Sequence, residues 1–170
     1  MSTLSPEVME NISEFISVWW TPIIFMTFVI GIPIFYVGLV SLTKEGKRSF
    51  GIACLAISGF LFNINGFLNM MSFTFFNEAA PDGLYYISTS TEYSIVMTMT
   101  IRGIQLFGLI ATVRSLFYLK DYANEQKSNL LYTGLGFFVG GITCTNIITF
   151  LKFVGNVAGG EVQYIIQLLT

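Results

Sequence analysis

The sequence predicts an all-α integral membrane protein with four transmembrane helices, and composition and segment length both support this fold class. Of its 170 residues, 54% are hydrophobic and only 11% are charged, whereas a soluble domain carries about 25% charged residues. The mean hydropathy is +0.71. Four apolar segments follow one another along the chain, each close to the ~20 helical residues that cross a hydrocarbon core ~30 Å thick. We therefore expect a single membrane domain over residues 1–170, built as two antiparallel helical hairpins.

The first predicted hairpin covers residues 18–76. Its first helix runs from Trp19 to Leu42 and contains Pro33, which we expect either to kink it or to free a carbonyl near Gly31. The basic segment Lys44 to Arg48 is short enough to predict a tight turn, and a second helix from Phe50 to Phe73 follows. The polar residues 77–94 then predict an extracytoplasmic loop.

The second predicted hairpin covers residues 95–154. A third helix is expected from Ile95 to Leu119, a charged turn from Lys120 to Ser128, and a fourth helix from Asn129 to Phe153. The fourth helix has no charge before Lys152. The remaining residues, 155–170, predict a tail that lies at the membrane interface.

Basic residues predict how the chain is oriented. Six of the eight basic residues are assigned to the two short turns, whereas seven of the ten acidic residues fall at the termini and in the middle loop. By the positive-inside rule, both turns face the cytoplasm and both termini are extracytoplasmic. The six basic residues are candidates for contact with phospholipid headgroups or with a partner, and they are Lys44, Lys47, Arg48, Arg114, Lys120 and Lys127. The alternative is that they only set the topology.

Small and amide residues predict how the helices associate. Glycine lets two helix backbones approach closely in lipid, and an asparagine side chain adds an interhelical hydrogen bond. We expect contacts of this kind within the chain and between copies of it in a homo-oligomer. The candidate packing residues are Gly59, Gly108, Gly134, Gly140, Gly141, Asn63 and Asn146.

The two hairpins also resemble each other in sequence. The segment Asn63-Ile64-x-x-Phe67-Leu68 aligns with Asn146-Ile147-x-x-Phe150-Leu151 at an offset of 83. A segment from Gly38 to Lys44 aligns with one from Gly108 to Arg114 at an offset of 70, with a longer second turn expected to absorb the difference. Either the chain is a tandem duplication, which would place Asn63 and Asn146 at equivalent depths, or apolar segments align here by chance.

Arg102 is the charged residue farthest inside a predicted span, with Gln105 on the next turn. A cation at the centre of a membrane helix costs about 2.5–3.5 kcal/mol on insertion scales, so its charge should be met. Three interpretations stay open. The side chain reaches along the surface to the outer interface, it pairs with a carboxylate, or it serves a lipid, partner or pore site.

Composition argues against several functional classes. The chain has no histidine, which removes the commonest metal ligand and the usual general base near neutral pH. Its predicted spans contain no Asp or Glu. Cys54 and Cys144 are expected at different depths and therefore as free thiols. We expect no catalytic or metal site, no cofactor other than a bound phospholipid, and no sequence-specific binding of nucleic acid, since the net charge is −2.

A family resemblance rests on the second hairpin. The segment Arg102-x-x-x-Leu106-Phe107-Gly108-Leu109-Ile110-Ala111-x-x-Arg114-Ser115, followed by Gly134-x-x-Phe137-x-x-Gly140-Gly141-Ile142-x-x-x-Asn146-Ile147, resembles the IcmC/DotE and DotP/IcmD group of small membrane proteins. These belong to type IVB (Dot/Icm) secretion systems, with the TraQ and TraR proteins of related conjugative plasmids. Two positions depart from the family pattern, which has a histidine near Phe137 and an Arg-Gly-Trp where this chain has Arg114-Ser115-Leu116. The resemblance implies a non-enzymatic inner-membrane component that contacts other secretion-system membrane proteins.

Two other functions remain open at this stage. Each hairpin, two apolar helices joined by a short basic turn, is similar to a conjugative pilin, which implies a filament subunit that carries phospholipid. A small channel or transporter would instead use Arg102 and the asparagines to line its path.

Overall fold

A computed structural model describes residues 18–78 and 92–158, together with the isolated positions 8, 11, 12, 14 and 15. The predicted all-helical fold class is confirmed, since no strand occurs among these residues. The predicted interfacial tail and most of the middle loop lie outside them. The helices are α1 (Trp20–Leu42), α2 (Arg48–Phe62), α3 (Ile64–Phe76), α4 (Glu92–Glu125), α5 (Ser128–Thr145) and α6 (Ile147–Ala158).

Two to four of these segments are long and apolar enough to cross a membrane. Helices α1 and α4 qualify individually, whereas α2–α3 and α5–α6 qualify only as bent pairs. Their apolar residues make the chain a membrane protein by composition and helix length. Pro33 lies inside α1 without ending it.

Helices α1 and α2 pack as an antiparallel hairpin. A Cβ added to Gly51 would lie 3.0 Å from the carbonyl oxygen of Gly38, so the two backbones are in close contact at this point. Farther from the turn, the Thr27 hydroxyl donates to the carbonyl of Leu61 at 3.3 Å. The paired residues move apart in sequence as the distance from the turn grows, as antiparallel helices require.

Helices α4 and α5 form the second hairpin and the largest helix–helix interface in the described chain. A Cβ added to Gly108 would lie 2.5 Å from the backbone nitrogen of Thr145, and one added to Gly134 would lie 3.3 Å from Leu119 Cδ2. Small residues at these positions therefore bring the backbones together.

The turn of the second hairpin is shorter than predicted. Helix α4 continues to Glu125, so only residues 126 and 127 separate it from α5. No Gly or Pro interrupts the segment that was expected to be a turn, and Lys120 Nζ is held 3.2 Å from Asp121 and 5.5 Å from the centre of the Phe117 ring. Gln126, with φ of +55°, reverses the chain.

The second and fourth predicted helices are not continuous, and this corrects the sequence-based boundaries. Helices α2 and α3 meet at 96° across Asn63, and α5 and α6 meet at 87° across Asn146. Both asparagines leave helical backbone geometry, with ψ of 62° and 35°. Asparagine favours such positions because its short amide competes for backbone hydrogen bonds and thereby disfavours the helix interior.

The structure agrees with one of the two sequence alignments between the hairpins. Asn63 and Asn146 both stand at bends, and Gly51 and Gly134 both lie twelve residues before their bend at a close helix contact. The alignment at an offset of 70 does not fit. Gly38 packs beside Gly51, far from the bend, whereas Gly108 packs beside residues next to the bend. The second turn is also the shorter one, so it does not absorb a length difference.

The hairpins join where α2 packs on α4 and α3 crosses to the bend between α5 and α6. The core contains Leu61 of α2 and Leu109 and Leu116 of α4, each at most 2% exposed. Phe67 of α3 contacts Phe138 of α5, with ring centroids 6.0 Å apart. Helix α3 therefore holds the two hairpins together at the end of the bundle opposite the basic turns.

Candidate functional site

One face of α4 is polar although the helix lies in an apolar bundle. Its members recur at intervals of three, four or seven residues, so they share one side of the helix, and the described structure buries each of them. These are Thr98, Arg102, Gln105, Thr112 and Ser115. A row of this kind contacts protein rather than lipid, because unsatisfied polar groups are costly in hydrocarbon.

The polar face of α4 meets the end of α5. Gln105 is 1% exposed, and its Nε2 donates to the carbonyl oxygen of Thr145 at 3.2 Å. This carbonyl lies in the last turn of α5, where the bend removes the next intrahelical donors. The glutamine therefore helps to satisfy the backbone that the bend exposes.

Asn146 lies at the centre of this junction and is 2% exposed. Its Oδ1 accepts a hydrogen bond from the Ser72 hydroxyl at 2.9 Å, and its Nδ2 donates to the carbonyl of Ile142 at 2.9 Å. The predicted interhelical hydrogen bond of Asn146 is thus made to α3, which follows the other bend. Asn63 behaves differently: it is exposed, and its Oδ1 accepts locally from the Gly66 N–H at 3.0 Å as a helix cap.

Arg102 lies on the same face of α4, one turn before Gln105, and is only 9% exposed. The three interpretations of Arg102 therefore stay predictions, and its backbone position on the polar face of α4 is what the structure adds.

The cationic residues of the first turn are arranged as the sequence predicts. Lys44, Lys47 and Arg48 are exposed between α1 and α2. In the second turn, Lys127 Nζ lies 2.6 Å from Glu125 Oε2, and this hydrogen bond raises the pKa of Lys127 above its usual value. These groups are available to solvent, headgroups or a partner.

Arg114 does not lie at a turn. It stands eleven residues before the end of α4, which places it about 16 Å from the turn along the helix. Its side chain is exposed, its Nη2 donates to Tyr118 Oη at 3.2 Å, and its Cζ lies 5.1 Å from the centre of the Phe137 ring. Those two rings stack on each other with centroids 5.6 Å apart, so they support the guanidinium on an aromatic surface.

The candidate packing glycines fall into two groups. Gly108, Gly134 and Gly141 lie between α4 and α5. Gly59 and Gly140 pack against no other helix, because no heavy atom of the described chain lies within 4 Å of an added Cβ. Their expected packing role is therefore not met by the residues that the structure describes.

Sequence reasoning missed Ser72, Thr112, Ser115 and Thr145, all of which are fully buried. The helical spacing of the α4 residues was a signal that could have revealed two of them. Ser72 and Thr145 had no such signal, because their burial depends on α3 crossing to the second hairpin.

Comparison with protein family models, with curated proteins and with solved structures finds no match for this chain.

Within residues 18–78 and 92–158, no three His, Cys, Asp or Glu side chains come together in a way that would hold a metal ion. The two cysteines are free thiols, with Cys54 buried and Cys144 partly buried. The site is thus a buried polar junction between two hairpins, with an exposed arginine farther along α4.

Proposed function

We propose that this chain is a non-enzymatic, multi-pass component of the bacterial inner membrane that serves a type IVB-like secretion or conjugation apparatus. The observation that carries the proposal is the sequence resemblance of the second hairpin. The residues behind it are those that build the hairpin: Gly108 and Gly141 form its closest contact, and Asn146 forms its bend. The shared pattern is therefore one of helix assembly rather than of catalysis.

In the proposed topology, the two basic turns face the cytoplasm and both termini are extracytoplasmic. Helix α1, with 23 residues, is about 34 Å long and crosses the bilayer alone, whereas α2, with 15 residues, reaches only about 22 Å. Helix α3 then turns away by 96°. We place α3 and α6 towards the outer interface. This placement explains why α2 and α5, the helices that precede the two bends, are each shorter than the ~30 Å core.

The proposed assembly surface is the exposed side of α5 that carries Gly136 and Gly140. Gly136 and Gly140 leave open space there, and they line a surface groove of about 390 Å³ bordered by Phe107 and Phe137. A helix of a second copy or of another membrane component can approach closely at such glycines. Gly141, which packs against α4, also lines this groove, so the proposed assembly surface borders the contact between α4 and α5.

The test is transfer of DNA or protein from a donor cell that lacks the natural chain and expresses a variant. Arg102→Ala should abolish transfer while the amount of chain in alkali-extracted membranes stays unchanged. Lys152→Ala, which removes an exposed cation of α6, serves as the matched control and should retain transfer. Full transfer from a donor that lacks the chain entirely would refute the proposal.

A pilin-like filament subunit is the second candidate, because both hairpins consist of two apolar helices joined by a short turn, and both bend at an asparagine, by 96° and 87°. Electron microscopy of purified chain would then show filaments with lipid between regularly repeated subunits. A channel or transporter is the third, and it should conduct solute in proteoliposomes. The described grooves argue against it, since their linings are almost wholly apolar.

A further inference from the structure

Both bends are confined to short segments, and the helical hydrogen bonds resume directly after them. At the first bend, the backbone N–H groups of Asn63 and Phe67 donate to the carbonyls four residues earlier, at 3.3 and 2.9 Å. At the second bend, the N–H groups of Asn146 and Phe150 do the same, at 3.0 and 2.9 Å. A change from a bent pair to one continuous helix therefore concerns only the residues between these N–H groups.

The composition of each bent pair also suits a continuous helix. Residues 48–76 and 128–157 each qualify as one membrane-spanning segment when their two helices are taken together. As straight helices the two pairs would be about 43 and about 45 Å long, whereas α2 and α5 alone reach about 22 and about 27 Å. The bent and straight forms therefore suit bilayers of different hydrocarbon thickness.

Contacts between α3 and the second hairpin hold both bends. Ser72 of α3 donates to Asn146 at the second bend, at 2.9 Å. Thr149 of α6 donates to Glu78, just after α3, at 3.2 Å. Straightening of α2–α3 would carry α3 away from the second hairpin and break both hydrogen bonds. The loss of these contacts would also release the second bend, so the two bends are coupled.

The thickness of the bilayer affects the two forms differently. In the bent form, α3 leaves the bundle where α2 ends, about 22 Å from the basic turn. The far end of α3 carries the exposed polar residues Asn77 and Glu78. A thicker hydrocarbon core would enclose this end, and a charge in hydrocarbon is costly. Straightening would move the end about 20 Å outward, since α3 has 13 residues that each rise about 1.5 Å.

We propose that the bends at Asn63 and Asn146 form one coupled switch that responds to the thickness of the bilayer. In a thin bilayer both pairs are bent, and α3 joins the two hairpins. In a thick bilayer both pairs are continuous helices, and the hairpins separate at the end opposite the basic turns. A mismatch between helix length and bilayer thickness drives the change. This inference rests on the membrane location in the proposed function, but not on the secretion role.

The experiment measures the distance between two spin labels by pulsed electron paramagnetic resonance, in the full chain with both natural cysteines replaced by alanine. The labels are attached through Ser49→Cys on α2 and Thr74→Cys on α3, both at exposed positions. The bend of 96° places these two backbone positions about 25 Å apart, whereas a continuous helix would place them about 38 Å apart. The shorter distance should dominate in dimyristoleoyl phosphatidylcholine and the longer one in dierucoyl phosphatidylcholine. The same distance distribution in both bilayers would overturn the proposal.

Variants that act on the second bend test the coupling, because the labels report on the first. Gln105→Leu removes the donor to the carbonyl of Thr145, and Ser72→Ala removes the hydroxyl that bonds to the second bend. In dioleoyl phosphatidylcholine, of intermediate thickness, each variant should raise the ratio of the longer to the shorter distance at least about twofold, as expected for one lost hydrogen bond.

Ser115→Ala is the matched control, because this serine is also fully buried but its hydroxyl bonds within its own helix. It should give the wild-type ratio. A wild-type ratio in Ser72→Ala would overturn the coupling, and so would an equal rise in Ser115→Ala, which would indicate a general loosening of the bundle. Circular dichroism identifies a variant that fails to fold, and Ser72→Ala decides if Gln105→Leu is one. None of these results changes the outcome of the transfer assay, so the two proposals fail separately.

Discussion

Replacing Gly141 by alanine tests the closest contact in the fold. An added Cβ would lie 2.5 Å from Thr112 Oγ1, 2.7 Å from Thr112 N and 2.9 Å from the Gly108 carbonyl oxygen. Two of these three atoms are backbone, so no rotamer change relieves the contact and α4 must move away from α5. Overpacking of this kind costs about 1–3 kcal/mol, less the ~1 kcal/mol that alanine gains over glycine in a helix.

The neighbouring Gly140→Ala is the matched control. The same helix propensity applies, but an added Cβ meets no described atom within 4 Å. We therefore expect Gly140→Ala to be neutral or about 1 kcal/mol more stable than wild type, and Gly141→Ala to be the less stable of the two by about 1–3 kcal/mol. The measurement is reversible unfolding in mixed micelles, followed by circular dichroism as the fraction of denaturing detergent rises. Equal stabilities of the two variants would refute the helix packing described here.

Three further predictions concern the bends and the turns. Ser72→Ala and Asn146→Ala should each destabilise the chain, and the double variant should lose less than the sum, with a coupling of about 0.5–1.5 kcal/mol in a double-mutant cycle if their hydrogen bond is as described. Asn63→Ala should cost about 1 kcal/mol, since it removes only the cap of α3; a larger loss than that of Asn146→Ala would contradict their different burial. Cysteines introduced at Lys47 and Lys127 should react with a membrane-impermeant maleimide from the cytoplasmic side alone, and labelling from opposite sides would disprove the proposed topology.

Fold class and helix positions followed from local pattern. Apolar segments of membrane-spanning length predict helices whatever their neighbours are, because the backbone must satisfy its own hydrogen bonds in lipid. The basic turn between α1 and α2 was equally readable, since Lys44 to Arg48 is polar, short and ends with the start of α2. The end of α4 was misread because polarity alone does not end a helix; Lys120 and Asp121 continue it on the surface.

The glycines show how much the helical periodicity of the sequence predicts about packing. Gly134 and Gly141 are seven residues apart and share one face, whereas Gly136 and Gly140 share another. The sequence therefore predicts that the two pairs of glycines lie on different faces of α5. It does not say which face meets α4, because this depends on the partner residues Gly108 and Thr112.

The sequence by itself determined that this chain forms apolar helices arranged as hairpins around short basic turns. Only the tertiary structure decided that the second and fourth helices bend at Asn63 and Asn146, and that Arg102 is buried. An asparagine within an apolar run permits both a straight helix and a cap. Which of the two forms depends on whether the segment after the asparagine packs against another part of the chain. Here α3 does so, because its Ser72 donates a hydrogen bond to Asn146, 74 residues farther along the chain.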